Sequence, residues 1–311
     1  MIQREQFIFG KGWVHSSGVL YFYGATRDMN EADDFESVVL RCERGKWSFW
    51  QIGTRLCNVV TQGQGDSHLV ACIGIDGYVE ILKGQARRVE AVDRSRDGPN
   101  RLKHLTFART FGERILTVGM SRMVYERNSG ASWRAIDSGL RIPRSSPEIE
   151  GLRAIEVDDN GDLVAVGLRG DIWFRQSEIW RAIESPTNLK LESLRWLNGV
   201  LYICGGRGLL LHGQPDKLKI ITQTATEDTF WSMESFGGEI FLSTRRGSIW
   251  KLIGEELVRV ELAGGPDVST GWLHANEGLL LSVGERDIFT NDGHSWTRLK
   301  PPTDASWPFE W

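Results

Sequence analysis

The sequence predicts an all-β fold, a single seven-bladed β-propeller of four-stranded antiparallel blades, on three observations. A glycine or small residue closes the second strand of each unit, at Gly24, Gly74, Gly119, Gly167, Gly205, Ser243 and Gly284, so the chain repeats itself every 38–50 residues. Seven units in 311 residues average about 44 residues, within the roughly 40–45 of a four-stranded blade. Between these positions apolar and polar residues alternate with period two and are bounded by Gly, Asn and Asp, as half-buried antiparallel strands require. No amphipathic helix interrupts them. The third observation is compositional: 35 glycines supply tight turns and 13 tryptophans supply large packing groups.

Taken in order, the blades are expected near residues 13–53, 56–93, 102–139, 152–186, 191–226, 230–264 and 270–302. Blade one carries strands near 19–24, 36–42 and 46–52, and blade two carries LVACIGIDGYVEIL. Blade four is the clearest copy, with GLRGDIWFRQSEIWRAIE over residues 167–184. The fourth strands share an apolar-x-x-apolar beat, Trp133 to Ile136, Trp180 to Ile183 and Trp296 to Leu299. A large ring at that point fills the wedge where adjacent blade faces diverge, so these tryptophans are read as inter-blade packing. At the ends, residues 2–9 alternate like a strand and residues 306–311 (SWPFEW) form an aromatic tail. Either can lock the first blade to the last, since an unpaired edge in a closed ring is a liability.

The totals exclude several classes. A net charge of -4 is too mild to imply nucleic acid or a membrane surface as partner. The first residues include Arg4 and Glu5 and lack the apolar stretch of roughly 7–15 residues that a secretory signal needs. No apolar run approaches the ~20 residues of a membrane-spanning helix. Cys42, Cys57, Cys72 and Cys204 form no CxxC pair and lie among apolar neighbours, the pattern of buried reduced thiols. The expected location is the cytoplasm.

Arg127-Asn-Ser-Gly-Ala-Ser-Trp133 and Thr290-Asn-Asp-Gly-His-Ser-Trp296 resemble the Asp-box, or BNR, repeat, Ser-x-Asp-x-Gly-x-Thr-Trp. Each is one residue short, and in the first of them Ser129 stands where the Asp belongs. With the recurring VG-x-x-G, the chain is similar to the YVTN/BNR-like propellers, including the photosystem II stability and assembly factor-like group. The resemblance implies a propeller and no particular activity, because one fold hosts many functions. Asp292 and Asn128 are themselves read as turn-formers, accepting backbone N–H groups of their own turns.

Antiparallel order places the turns between second and third strands, and the connections from each fourth strand to the next blade, on one face, here called the upper face. Its turns carry Arg122, Arg169, Arg207, Arg246 and Arg286, and its longer connections add Arg141 and Arg144 along with Arg94, Arg96 and Arg101. Guanidinium groups so grouped suit carboxylates or phosphates. They are also compatible with plain solvation or with bonds to carbonyls of the next blade. Blade one differs, presenting an acidic loop with Asp28, Glu31, Asp33 and Asp34 on the same face. That loop is expected to act as an internal counter-charge or as part of a mixed-charge surface. It lacks the D-x-D-x-D-G spacing of a calcium loop.

Catalytic constellations are few. Leu140-Arg-Ile-Pro143 resembles the Arg-Ile-Pro of sialidases, which would make Arg141 one of three arginines gripping a carboxylate. Here it follows the first box instead of preceding it, and seven units are read where that family has six. His15, His68, His104, His212, His274 and His294 form no HxH or HExxH, although His15, His104 and His274 fall on inner strands. No Walker loop or G-x-S-x-G elbow is present, and no cofactor is expected. The sequence therefore points to a non-catalytic platform for a protein partner with an acidic surface, in an assembly-factor or immunity-type role. The alternative is a sialidase-like or other hydrolase or lyase with its site in the channel.

Overall fold

The computed structural model describes residues 5–26, 37–100, 104–128, 130–143, 149–244, 247–303 and 309–310. Their strands form seven antiparallel sheets of four, with a short fifth strand added to the first sheet. Blade four shows the pattern: Leu152–Val157, Leu163–Gly167, Ile172–Gln176 and Ile179–Ala182, each paired with the next. Leu163, Val164, Ala165 and Val166 are buried at every position, because a second strand is covered by a neighbouring blade on both faces. The first strands, Glu5–Ser16, Leu56–Gln62, Leu105–Phe111, Leu152–Val157, Leu191–Leu197, Phe230–Phe236 and Trp272–Asn276, pack against one another round the ring and line its axis. The seven-bladed propeller expected from the repeat is the fold observed.

The repeating glycine has a steric cause. A Cβ at Gly167 would overlap the carbonyl oxygen of Gly151, and one at Gly205 that of Lys190. The end of each second strand runs against the connection that enters its own blade, leaving no room for a side chain. In blade six the equivalent residue is Thr244, paired with Phe230 as Gly205 is with Leu191, and not Ser243. Beside this position the first strands carry a β-bulge, with Cys57, Thr106, Arg153, Glu192 and Trp231 as the extra residue. A bulge re-aims the side chain at that point, and Thr106, Arg153, Glu192 and Trp231 line the mouth of the channel.

The fourth-strand tryptophans reach the preceding blade. The Trp133 indole donates to Glu90 Oε2 at 3.0 Å, Trp180 donates to the carbonyl of Ile136 at 2.6 Å, and Trp296 meets Phe241 edge-on at 6.4 Å. The ring closes between blades one and seven along the first strand, Glu5–Ser16, which is longer than the sequence pattern of residues 2–9 suggests. The Trp272 indole donates to Gly12 O, the Phe9 N–H to Glu285 O, and the Asn276 amide to His15 O. Phe309–Glu310 pairs in parallel with Glu5 and Gln6, so both ends of the chain meet in blade one. The four cysteines are buried and free. Among the described residues no helix is long and apolar enough to cross a membrane.

Candidate interaction face

The turn between second and third strands repeats closely. In blades four and five, Asp171 N–H donates to Leu168 O and Leu209 N–H donates to Gly206 O, closing four-residue turns whose two central residues have positive φ. Arg169 and Arg207 hold the first central place at φ 55° and 56°, followed by Gly170 and Gly208. This is the type I′ hairpin geometry, which Asn, Asp or Gly fills at least cost. Both arginines are exposed.

The structure separates the arginines that the sequence groups. Arg207 is exposed and makes no ion pair or hydrogen bond among the described residues. The Arg169 side chain is 70% exposed, with Glu150 Oε1 at 3.3 Å. Arg286 is exposed and donates to the carbonyl of Asp267 at 3.4 Å. Arg122 lies one step later in its turn, at the place of Gly170. It is clasped by both oxygens of Asp171 in the next blade, at 2.6 and 3.1 Å, and stacks over Trp173. Arg141 is held by Asp137 and lies over the Tyr125 ring. Arg122 and Arg141 thus join blades and connections together. Arg246, Arg144 and the acidic loop with Asp28, Glu31, Asp33 and Asp34 lie outside the described residues.

Inside the upper mouth is a cavity of about 590 Å³ that the sequence did not disclose. Its wall combines Lys11, Arg55, Arg153 and Glu192 with the rings of Phe9, Phe107, Trp231 and Trp272. Arg153 and Glu192 pair at 3.0 Å, and Lys190 joins them from the connection. The Lys11 ammonium donates to the Thr106 carbonyl at 3.3 Å and sits 4.6 Å from the Trp272 ring centre. Burial lowers its pKa to about 8. Sequence alternation hid Arg153, Glu192 and Trp231, because the bulge turns inward side chains that strict period two would aim elsewhere.

Below this cavity the axis is filled. Arg109, Glu156, Arg195 and Glu234 come from the first strands of four successive blades, four residues after the strand's leading apolar residue. Glu234 accepts two bonds from Arg195, at 2.8 and 3.1 Å, and two from Arg109, at 3.0 and 3.3 Å. Glu156 takes Arg195 at 3.0 Å. His274 follows in the same register; burial first, and then Arg109, hold its pKa well below the usual value, and its Nδ1 accepts the Val14 N–H. A smaller cavity of about 260 Å³ opens on the lower side, lined by Trp13, His15 and His274. His104, next to Leu105, is at the opposite end of its strand, so His15, His104 and His274 do not converge. Among the described residues no group of three His, Cys, Asp or Glu is placed to hold a metal ion.

The residues of the second box form its turn as expected. Asp292 accepts the N–H groups of Ser295 and His294, which hold its carboxyl below the usual range.

No family model matches the chain. The chain is 36% identical over 182 residues to the immune protein Tsi7 of Pseudomonas aeruginosa. That match covers 58% of this chain and 59% of the relative, so the chain spans less than two thirds of the relative's length. Among solved structures it is similar to YCF48 bound to D1 peptide, with 14% identity, 92% of this chain and 91% of the other covered, and a TM-score of 0.67. The likeness is one of fold, a β-propeller. YCF48 from Cyanidioschyzon merolae gives 13% identity, 92% coverage of each chain and a TM-score of 0.61. A virginiamycin B lyase from Staphylococcus aureus is also similar, at 9% identity, 82% and 89% coverage and a TM-score of 0.61. At these identities the likenesses describe the propeller and leave its activity open.

Proposed function

We propose that this chain is a non-catalytic, protein-binding propeller in an immunity-type role, holding an acidic surface of its partner on the upper face. The observation that carries the reading is the 36% identity to an immune protein. It is joined by a fold similar to a propeller seen with a peptide bound. The geometry supports the choice of face. Arg169 and Arg207, both exposed, lie in adjacent blades at positions where turn preference favours Asn or Gly, so the turn alone does not account for them. The carboxylates deepest in the channel, Glu156 and Glu234, are bonded to Arg195 and Arg109, which leaves them poorly placed to act on a substrate. The four free buried thiols suit a reducing compartment, and a cytoplasmic location is part of the proposal.

The test is affinity capture from native lysate by the purified chain, with identification of the captured protein by mass spectrometry. Charge reversal at Arg169 and Arg207 is expected to abolish capture while leaving the fold intact. The same charge change at Lys83 and Lys217, exposed beside and within turns of the lower side, is expected to leave capture unchanged. Equal capture by all three proteins would overturn the upper-face reading.

A further inference from the structure

Among the described residues Lys11 is a cation in a hollow without a counter-ion. Its ammonium has three protons to place, and one is directed at the Thr106 carbonyl. Trp272 and Phe107 flank it, with ring centres at 4.6 and 5.8 Å. Among the described residues no carboxylate lies within ion-pair distance of it. The nearby Glu192 is engaged by Arg153 and Lys190. The other titratable or charged groups facing this region are Tyr23, Arg55 and Glu285 on the cavity wall and Cys57 beside it.

A desolvated charge without a partner is costly to the folded chain, and an anion entering the cavity would relieve that cost. The space, about 590 Å³, exceeds what one side chain fills and lies in the range of roughly 300–1,000 Å³ of ligand pockets. Aromatic walls around the Lys11 ammonium, with Arg55 and Arg153 also on the wall, match a short acidic projection better than a flat charged surface. The cavity is continuous with the face that carries Arg169, since Arg153 and Arg169 stand at the upper ends of the first and second strands of the same blade.

We infer that the upper mouth receives a projecting acidic segment of the partner protein, with a Glu or Asp carboxylate seated on the Lys11 ammonium between Trp272 and Phe107. The inference rests on the protein-binding role proposed above and deepens it. It adds an anchor inside the channel to the contacts expected at the exposed arginines.

The lowered pKa of free Lys11, about 8, gives the inference a direct readout. An anion prefers the protonated amine, so binding raises that pKa, and affinity falls as pH climbs above the free value. The experiment labels the lysines of the full chain by reductive 13C-methylation and follows the Lys11 signal by NMR, assigned by its loss in Lys11→Met. Saturating acetyl-Gly-Glu-Gly-amide is expected to move the Lys11 midpoint upward by about one pH unit, while acetyl-Gly-Gln-Gly-amide leaves it in place. An unmoved midpoint, or equal movement with the Gln peptide, overturns the inference. So does acetate acting as well as the Glu peptide at equal concentration, since the occupant would then be a small anion.

The captured partner separates this idea from the one it rests on. Lys11→Met is expected to weaken partner binding at pH 7 by about tenfold or more, the scale of a lost buried charge contact. If charge reversal at Arg169 and Arg207 abolishes capture and Lys11→Met does not weaken it, the pocket is overturned and the face stands. If neither variant affects capture, both are overturned.

Discussion

Arg169 and Arg207 on the rim, and Arg109 and Arg195 in the channel, are the same residue type in opposite circumstances. The rim pair faces water, and among the described residues the pair has a single carboxylate partner, Glu150, which Arg169 meets at 3.3 Å. The channel pair is saturated by Glu234 and Glu156, and Arg195 is 2% exposed. Coulomb attraction and desolvation scale together with burial, so the inner pair fixes structure and the outer pair is available to a partner. Arg122 is intermediate: it stands at the rim, but the adjacent Asp171 and Trp173 make it a clasp between blades. An arginine's position along the chain therefore says less about its role than the carboxylate that does or does not await it.

The strongest way to break this contrast is from the inside. Glu234→Ala would leave two buried guanidinium groups without their shared carboxylate, and is expected to cost about 3–5 kcal/mol. Denaturant unfolding measures it, and a loss below about 1 kcal/mol would show that the channel charges are solvated after all. Lys11 gives a second, pH-dependent contrast. Unfolded, its amine holds its proton up to the ordinary 10.5; folded, it releases it near 8. Between those values the unfolded chain binds more protons, so the wild-type stability gains with rising pH relative to Lys11→Met. Parallel stability profiles for the two proteins from pH 7 to 10.5 would refute that assignment.

At the rim the effects on stability are smaller. Arg207→Asn places a preferred residue at the positive-φ turn position and is expected to raise stability by up to about 1 kcal/mol. It should weaken partner capture at the same time, and a melting experiment paired with the capture assay checks both. Reversing Arg169 and Arg207 together is expected to shift unfolding by no more than about 0.5 kcal/mol. A larger loss would place these arginines with Arg122, as part of the scaffold.

Much of the scaffold was legible because repetition amplifies weak signals. One Gly-ended strand means little; six at similar intervals, with a small residue in blade six, specify blades, and the same spacing located the fourth-strand tryptophans. The site was legible only in outline. Arg169 and Arg207 could be assigned to a turn and a face by antiparallel order alone, but Arg122 could not be separated from them. Its partner Asp171 is in another blade, 49 residues away. A signal for the inner network was present: Arg109, Glu156, Arg195 and Glu234 each follow the leading apolar residue of a first strand by four positions. Charges at a common register in strands that line one axis are expected to meet there.

The sequence by itself determined the propeller, since period-two strands with glycine at six of the seven close approaches have few other ways to bury their faces. Only the tertiary structure decided which charges are spent and which are free. Closing seven strands round one axis brings Lys11 beside Trp272 and Glu234 between Arg109 and Arg195. Those contacts join residues 39 to 261 positions apart, and no local pattern carries distances of that kind.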